Sequence, residues 1–317
     1  MQSCGEEHVF TYGDLKRYSD KTANMLRAKG IGKGDMVMVV LKRHYQFWFT
    51  ILALHKLGAV IIPATFLLTK HDIVYRVNSA SVKAVICTGQ GDVAAHFDES
   101  APECPTLQTK LMVNGERDGW EDFMTEMEKA PESFARVPTL ASDPMILYFS
   151  SGTTGNPKMA LHPYTYALGH LATAKYWHTS TRSIHFTIAD TGWGKAVWGK
   201  LYGQMFMESC VFVYDFEKFV ASDILDKVSQ YGVTSLCCPP TMFRFFLQED
   251  VKSWDLSRLT YCTIAGEALS RMCLTSGMRL LASSSWKLWP NGNDAPDCQS
   301  RGHGAEARLH GQTDPAV

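Results

Sequence analysis

The chain has 317 residues, of which 45% are hydrophobic and 20% charged, and its formal net charge at neutral pH is -1. That length allows one large or two ordinary domains and a substantial core. The near-neutral balance gives no electrostatic ground for a nucleic-acid or anionic-membrane partner, and no apolar run approaches the roughly 20 residues of a membrane-spanning helix.

From the N-terminus, strand-like and helix-like segments alternate. MQSCGEEHVF lacks the basic-then-apolar order of a secretory signal. Leu15, Tyr18, Thr22, Met25 and Leu26 fall at helical spacing, and Gly30, Gly32 and Gly34 stop that helix. Residues 36–41 form a continuous apolar run, the pattern of a strand covered on both faces. Residues 47–57 read as a buried helix ended by Gly58, 59–62 as a strand closed by Pro63, 72–78 as a helix and 84–87 as a strand. Residues 102–138 read as a polar surface excursion.

The rhythm resumes with a strand at 145–149 and a helix at 164–177. A strand at 184–188 precedes a long amphipathic helix at 193–206 and another strand at 210–213. A helix at 224–231, a strand at 234–237, a helix at 241–248 opened by Pro239 and Pro240, and a strand at 259–265 complete the pattern. Such alternation predicts an α/β protein with mixed, largely parallel sheets and flanking helices. Residues 282–317 show no sustained apolar period and read as a disordered, divergent tail. The nine cysteines are odd in number and form no C-x-x-C pair, which argues against a disulfide framework and for a reducing, cytoplasmic compartment.

The chemistry concentrates in residues 148–159, YFSSGTTGNPKM. Small residues allow close backbone approach, and successive amides in such a loop form an anion-binding concavity. The hydroxyls of Ser150, Ser151, Thr153 and Thr154 add donors and Lys158 adds a positive charge. A polyphosphate is the natural ligand. The string is not a Walker A loop, because Gly155 stands three residues before Lys158 and Met159 follows it.

This string resembles the phosphate loop of the adenylate-forming enzymes: AMP-forming acyl-CoA synthetases, luciferases and peptide-synthetase adenylation domains. FTYGDL at 10–15, HKLGAVIIP at 55–63, ADTGW at 189–193 and TIAGEAL at 263–269 resemble further family elements in the same order. The DTGW and AGEAL forms are most similar to the medium-chain acyl-CoA synthetase branch. The resemblance implies most of the large N-terminal domain of that fold over residues 1–281, with ATP, Mg2+ and a medium- or branched-chain fatty acid as ligands and CoA as acceptor.

It assigns Ser150, Ser151, Gly152, Thr153, Thr154, Gly155, Asn156, Pro157 and Lys158 to the phosphates, with Lys158 as the neutralising cation and Thr153 and Thr154 facing magnesium. Gly266, Glu267 and Ala268 go to the adenine and ribose, and Trp193 to the acyl pocket; helix capping by Asp190 and Glu267, and a core role for Trp193, stay open. The aromatic-G-x-T-E element, the ribose-binding aspartate, the hinge and the C-terminal lysine of the family are not recognisable. A truncated or misassembled synthetase with impaired activity is therefore expected. A different acceptor thiol, or a nucleotide-binding remnant without turnover, are the alternatives. A eukaryotic source would imply the mitochondrial matrix.

Overall fold

The computed structural model describes residues 2–3, 6–150, 156–175, 183–264 and 287–289. After the short antiparallel pair β1 (Gln2–Ser3) and β2 (Glu6–Glu7), Thr11 starts α1 (Tyr12–Ala28) with a capping box. The Thr11 hydroxyl accepts from the Asp14 amide (3.0 Å), and the Asp14 carboxylate accepts from the Thr11 amide (2.9 Å). These bonds satisfy donors that every helix start leaves open. β3 (Met36–Val40) and α2 (Gln46–Leu57) follow, and α2 stops at Gly58, whose φ of 72° lies in the left-handed region.

β4 (Val60–Pro63) leads to α3 (Lys70–Ala80), which Thr69 and Asp72 start with a second capping box. Next come β5 (Ala84–Thr88), α4 (Val93–Ser100), β6 (Thr109–Val113), β7 (Glu121–Asp122) and α5 (Phe123–Glu128). β8 (Pro144–Ser150), β9 (Lys158–Pro163) and α6 (Thr165–Thr173) precede β10 (Ile184–Thr187). The remaining elements are α7 (Gly194–Lys200), α8 (Tyr202–Phe206), β11 (Cys210–Phe212), α9 (Ala221–Gln230), β12 (Ser235–Cys238), α10 (Pro240–Phe246), β13 (Tyr261–Ile264) and β14 (Lys287–Trp289).

The chain forms two compact units. The first comprises Met1–His170, Ala189–Leu201 and Val213–Phe216. Its seven-stranded sheet has the order β7-β6-β5-β3-β4-β8-β9, parallel throughout except for the β8–β9 pair. On one face Met38, Val40, Ile62 and Val85 pack with Ile73 and Val77 of α3 and Val93 and Phe97 of α4. Alternate residues of the same strands, Val37, Val39, Ile61 and Ile86, are equally buried. The continuous apolar runs thus reflect strands covered on both faces.

The second unit comprises Leu171–Ile188, Tyr202–Phe212 and Glu217–Val317. Its five strands run parallel in the order β11-β10-β12-β13-β14. Ile224, Leu225 and Val228 of α9 and Phe243 and Phe246 of α10 are buried in it.

Two sequence expectations are corrected. The stretch 102–138 is not mere surface, because Leu111, Val113, Phe123 and Met127 are fully buried. Only the second half of β6 is buried, so its apolar run is too short to stand out. The helix expected at 193–206 breaks at Leu201 (φ -132°, ψ -88°) into α7 and α8. Gly199 and Gly203 flank the break, and glycine weakens helix interiors. Lys287–Trp289 pairs with β13 as β14; the rest of the stretch 282–317, expected to be a disordered tail, lies outside the described residues.

Candidate functional site

The motif at residues 148–159 begins at the carboxyl edge of the first sheet. β8 runs parallel to β4, and β9 returns antiparallel beside it with Ser150 opposite Lys158. The segment between them therefore leaves and re-enters the sheet at one edge, where α/β proteins bind ligands. The Ser150 hydroxyl donates to the Lys158 carbonyl (3.3 Å). Asn156 and Lys158 are exposed and Pro157 is half-buried. Ser151, Gly152, Thr153, Thr154 and Gly155 lie outside the described residues, as do Gly266, Glu267 and Ala268 beyond β13.

Trp193 reaches the same edge of the first unit by a different route. The Thr191 amide donates to the Lys42 carbonyl (2.8 Å), just past the end of β3. Gly192 sits on the Ala64–Thr65 backbone that follows β4: a Cβ there would lie 2.4 Å from Ala64 C and O and 2.5 Å from Thr65 N. A methyl on Gly194 would touch the Tyr148 ring of β8 at 3.7 Å. The turn is thus docked on the ends of three parallel strands, and the Trp193 indole, 62% exposed, projects from it.

Glycine at 192 is required by this close approach. Gly192→Ala is expected to cost about 1–3 kcal/mol, the range for overpacking a rigid contact. Urea denaturation of the variant checks this, and an unchanged midpoint would mean that the turn is not docked on Ala64.

Asp190 does not cap α7, whose N-cap is Trp193 with no side-chain bond. Its carboxylate instead accepts from the Gly192 amide (2.8 Å), closing the turn locally. The other carboxylate oxygen of Asp190 is buried without a hydrogen-bond partner. Burial raises its pKa, against the opposing charges of Arg43, Lys200 and Lys42.

Behind the turn lies a buried charge cluster that sequence reading missed. Lys200, 1% exposed, donates to the Ala189 carbonyl (2.5 Å). Burial, reinforced by Arg43, lowers its pKa to about 7, while Asp190 and Asp215 pull the other way. Asp215 accepts from Nδ1 of the fully buried His44 (3.1 Å). Although burial alone would raise the Asp215 pKa, that bond and the charges of His44, Arg43 and Lys42 hold it below the usual carboxylate range. Arg43 stacks its guanidinium 4.0 Å from the Phe216 ring centroid and donates to the Phe216 carbonyl (3.0 Å). One signal for this cluster was available, since Lys42, Arg43 and His44 directly follow the apolar run 36–41. Nothing marked Lys200, which reads as an ordinary lysine of an amphipathic helix.

The model of the AMP-binding enzyme family matches residues 2–283. Acyl-coenzyme A synthetase ACSM4, mitochondrial, of Rattus norvegicus is 37% identical over 270 residues, 84% of this chain and 46% of that relative. Acyl-coenzyme A synthetase ACSM5, mitochondrial, of Homo sapiens is 37% identical over 274 residues, 85% of this chain and 47% of that relative. The chain therefore spans about half the length of the curated relatives it matches.

Among solved structures, the anthranilate CoA ligase AuaEII in complex with anthranoyl-AMP superposes with a TM-score of 0.80 at 21% identity, over 87% of this chain and 53% of that one. A Brucella canis acyl-CoA synthetase gives 0.77 at 23% identity, over 88% and 51%. At these identities the likeness speaks to the fold, which is that of an adenylate-forming enzyme. With a family model covering most of its length, the chain belongs to the AMP-binding enzyme family.

Proposed function

We propose that this chain carries the nucleotide- and acid-binding part of an AMP-forming acyl-CoA synthetase acting on a medium- or branched-chain fatty acid. The observation that supports it most is the meeting, at one sheet edge of the first unit, of the Ser150–Lys158 hairpin ends and the Trp193 turn. In this reading the carboxylate attacks the α-phosphorus of ATP, forming acyl-AMP and releasing pyrophosphate. The thiol of CoA then attacks the acyl carbon and AMP leaves.

The first step asks for alignment and charge neutralisation more than covalent help. Lys158 and the loop amides and hydroxyls of residues 150–157 would face the phosphates, Gly266, Glu267 and Ala268 the adenosine, and Trp193 the acyl chain. Magnesium would arrive with the substrate as MgATP, with Thr153 and Thr154 as the hydroxyls facing it. Among the described residues no group of three or more His, Cys, Asp or Glu side chains could hold a metal ion.

The relatives' names place those proteins in mitochondria, and the same compartment is proposed for this chain. Among the described residues no helix is long and apolar enough to cross a membrane.

Binding of stable acyl-AMP mimics, acyl-sulfamoyl adenosines of increasing chain length, tests the acid site without requiring turnover. Each methylene buried against an apolar wall contributes ~0.8 kcal/mol, about fourfold in affinity. Affinity should therefore climb with chain length, and Trp193→Ala should flatten the climb. Equal slopes for the two proteins would remove Trp193 from the acyl site.

A further inference from the structure

The exit of the hairpin loop needs support that the sheet does not supply. β9 is the edge strand, so Lys158 has a strand neighbour on one side only. α3 supplies the other support. This helix is firmly seated: a capping box starts it, and Ile73, Val77 and Ala80 are buried in the core. Its next face carries Tyr75 and Arg76, both half-buried.

The Tyr75 hydroxyl donates to the carbonyl of Pro157 (2.9 Å), the residue immediately before Lys158. The Tyr75 ring also meets Phe149 edge-on, with centroids 6.3 Å apart. The Arg76 guanidinium stands 5.0 Å from the same Phe149 ring centroid, and its side chain is only 15% exposed. Phe149 immediately precedes Ser150. One rigid helix therefore grips both feet of the loop, one residue before its first hydroxyl and one residue before its lysine.

We propose that Tyr75 is a positioning residue for Lys158: its hydrogen bond fixes the peptide from which the lysine springs and so aims the ammonium at the nucleotide's phosphates. This inference rests on the proposed phosphate-binding role of Lys158. The physical ground is preorganisation. Proline contributes no amide hydrogen at this point, and Tyr75 holds the one backbone acceptor that Pro157 offers. A lysine on a fixed backbone loses less freedom when it binds an anion than one on a loose strand end.

The test compares binding of MgATP, inorganic tripolyphosphate and adenosine to the 317-residue chain and to Tyr75→Phe, Lys158→Ala and the double variant. Tyr75→Phe keeps the ring against Phe149 and removes only the hydroxyl. It is expected to weaken MgATP and tripolyphosphate by about three- to tenfold, the effect of one hydrogen bond, while adenosine binding stays unchanged. In the Lys158→Ala background the same change is expected to have no further effect on either phosphate ligand. Hydrogen exchange over residues 156–163 is expected to quicken in Tyr75→Phe.

Three results would overturn the proposal: phosphate affinities unaltered by Tyr75→Phe, an equal loss for adenosine, or losses that simply add to those of Lys158→Ala. The last two would show Tyr75 to be a general structural support. If Lys158→Ala itself leaves both phosphate ligands unaffected, the underlying reading of Lys158 fails, and the positioning role with it.

Discussion

Asp215→Ala is expected to destabilise the first unit by about 3–5 kcal/mol, the range for breaking a buried charge pair by removing one partner. The carboxylate receives His44 Nδ1 at 3.1 Å and faces the charges of Arg43 and Lys42. His44 is completely buried and Lys200 nearly so. Without Asp215, one of the two carboxylates that most oppose the lowering of the Lys200 pKa is gone, and Asp190 is left. The loss would leave buried positive charge uncompensated, which is far costlier than removing an exposed ion pair.

The cluster also sets a pH signature. The Asp215 pKa is lowered on folding, so its stabilisation is complete above the ordinary carboxylate range and lost as pH falls through the folded value. Lys200 moves stability with pH in the same direction, but at higher pH and because burial penalises its charged form. Its folded pKa is about 7, against roughly 10.4 in the unfolded chain. Between those values the unfolded chain binds the extra proton, so stability rises with pH across that window. Lys200→Met should abolish this rise. Urea denaturation of both proteins at pH 6 and pH 9 measures it, and parallel profiles would show that Lys200 is not buried as a titrating amine.

What the sequence made legible follows from how long each signal is. Residues 36–41, apolar throughout, could only be a strand covered on both faces, and β3 is one. The Gly58 stop was equally plain, because few other residues adopt its backbone angle. β6 was invisible, because burial covers only Leu111, Met112 and Val113. The break at Leu201 arises from an inward lysine and two flanking glycines, none of which alone ends a helix.

The candidate site divides in the same way. Residues 150–158 announce themselves by local composition. The supports do not: Tyr75 lies about eighty residues from Pro157, and Asp215 still farther from His44. Neither pairing leaves a trace in a linear pattern. Only the parallel sheet, which brings the ends of β3, β4 and β8 to one edge, puts the Trp193 turn beside Tyr148. ADTGW alone could not distinguish a docked turn from a helix cap.

In the proposed function the loop at 150–158 recognises the phosphates of ATP through Lys158. The most direct measurement is a phosphate ladder: calorimetric affinities of adenosine, AMP, ADP and MgATP for the 317-residue chain and for Lys158→Ala. Charge-assisted bonds contribute about 1.5–3 kcal/mol each, about tenfold to a hundredfold in affinity. Affinity should rise with each added phosphate in the parent chain. Lys158→Ala should lower MgATP binding by that factor, leave adenosine unchanged and flatten the upper rungs. A ladder that is flat in the parent chain, or one that Lys158→Ala lowers equally on every rung, would mean that the loop does not recognise the phosphates through Lys158.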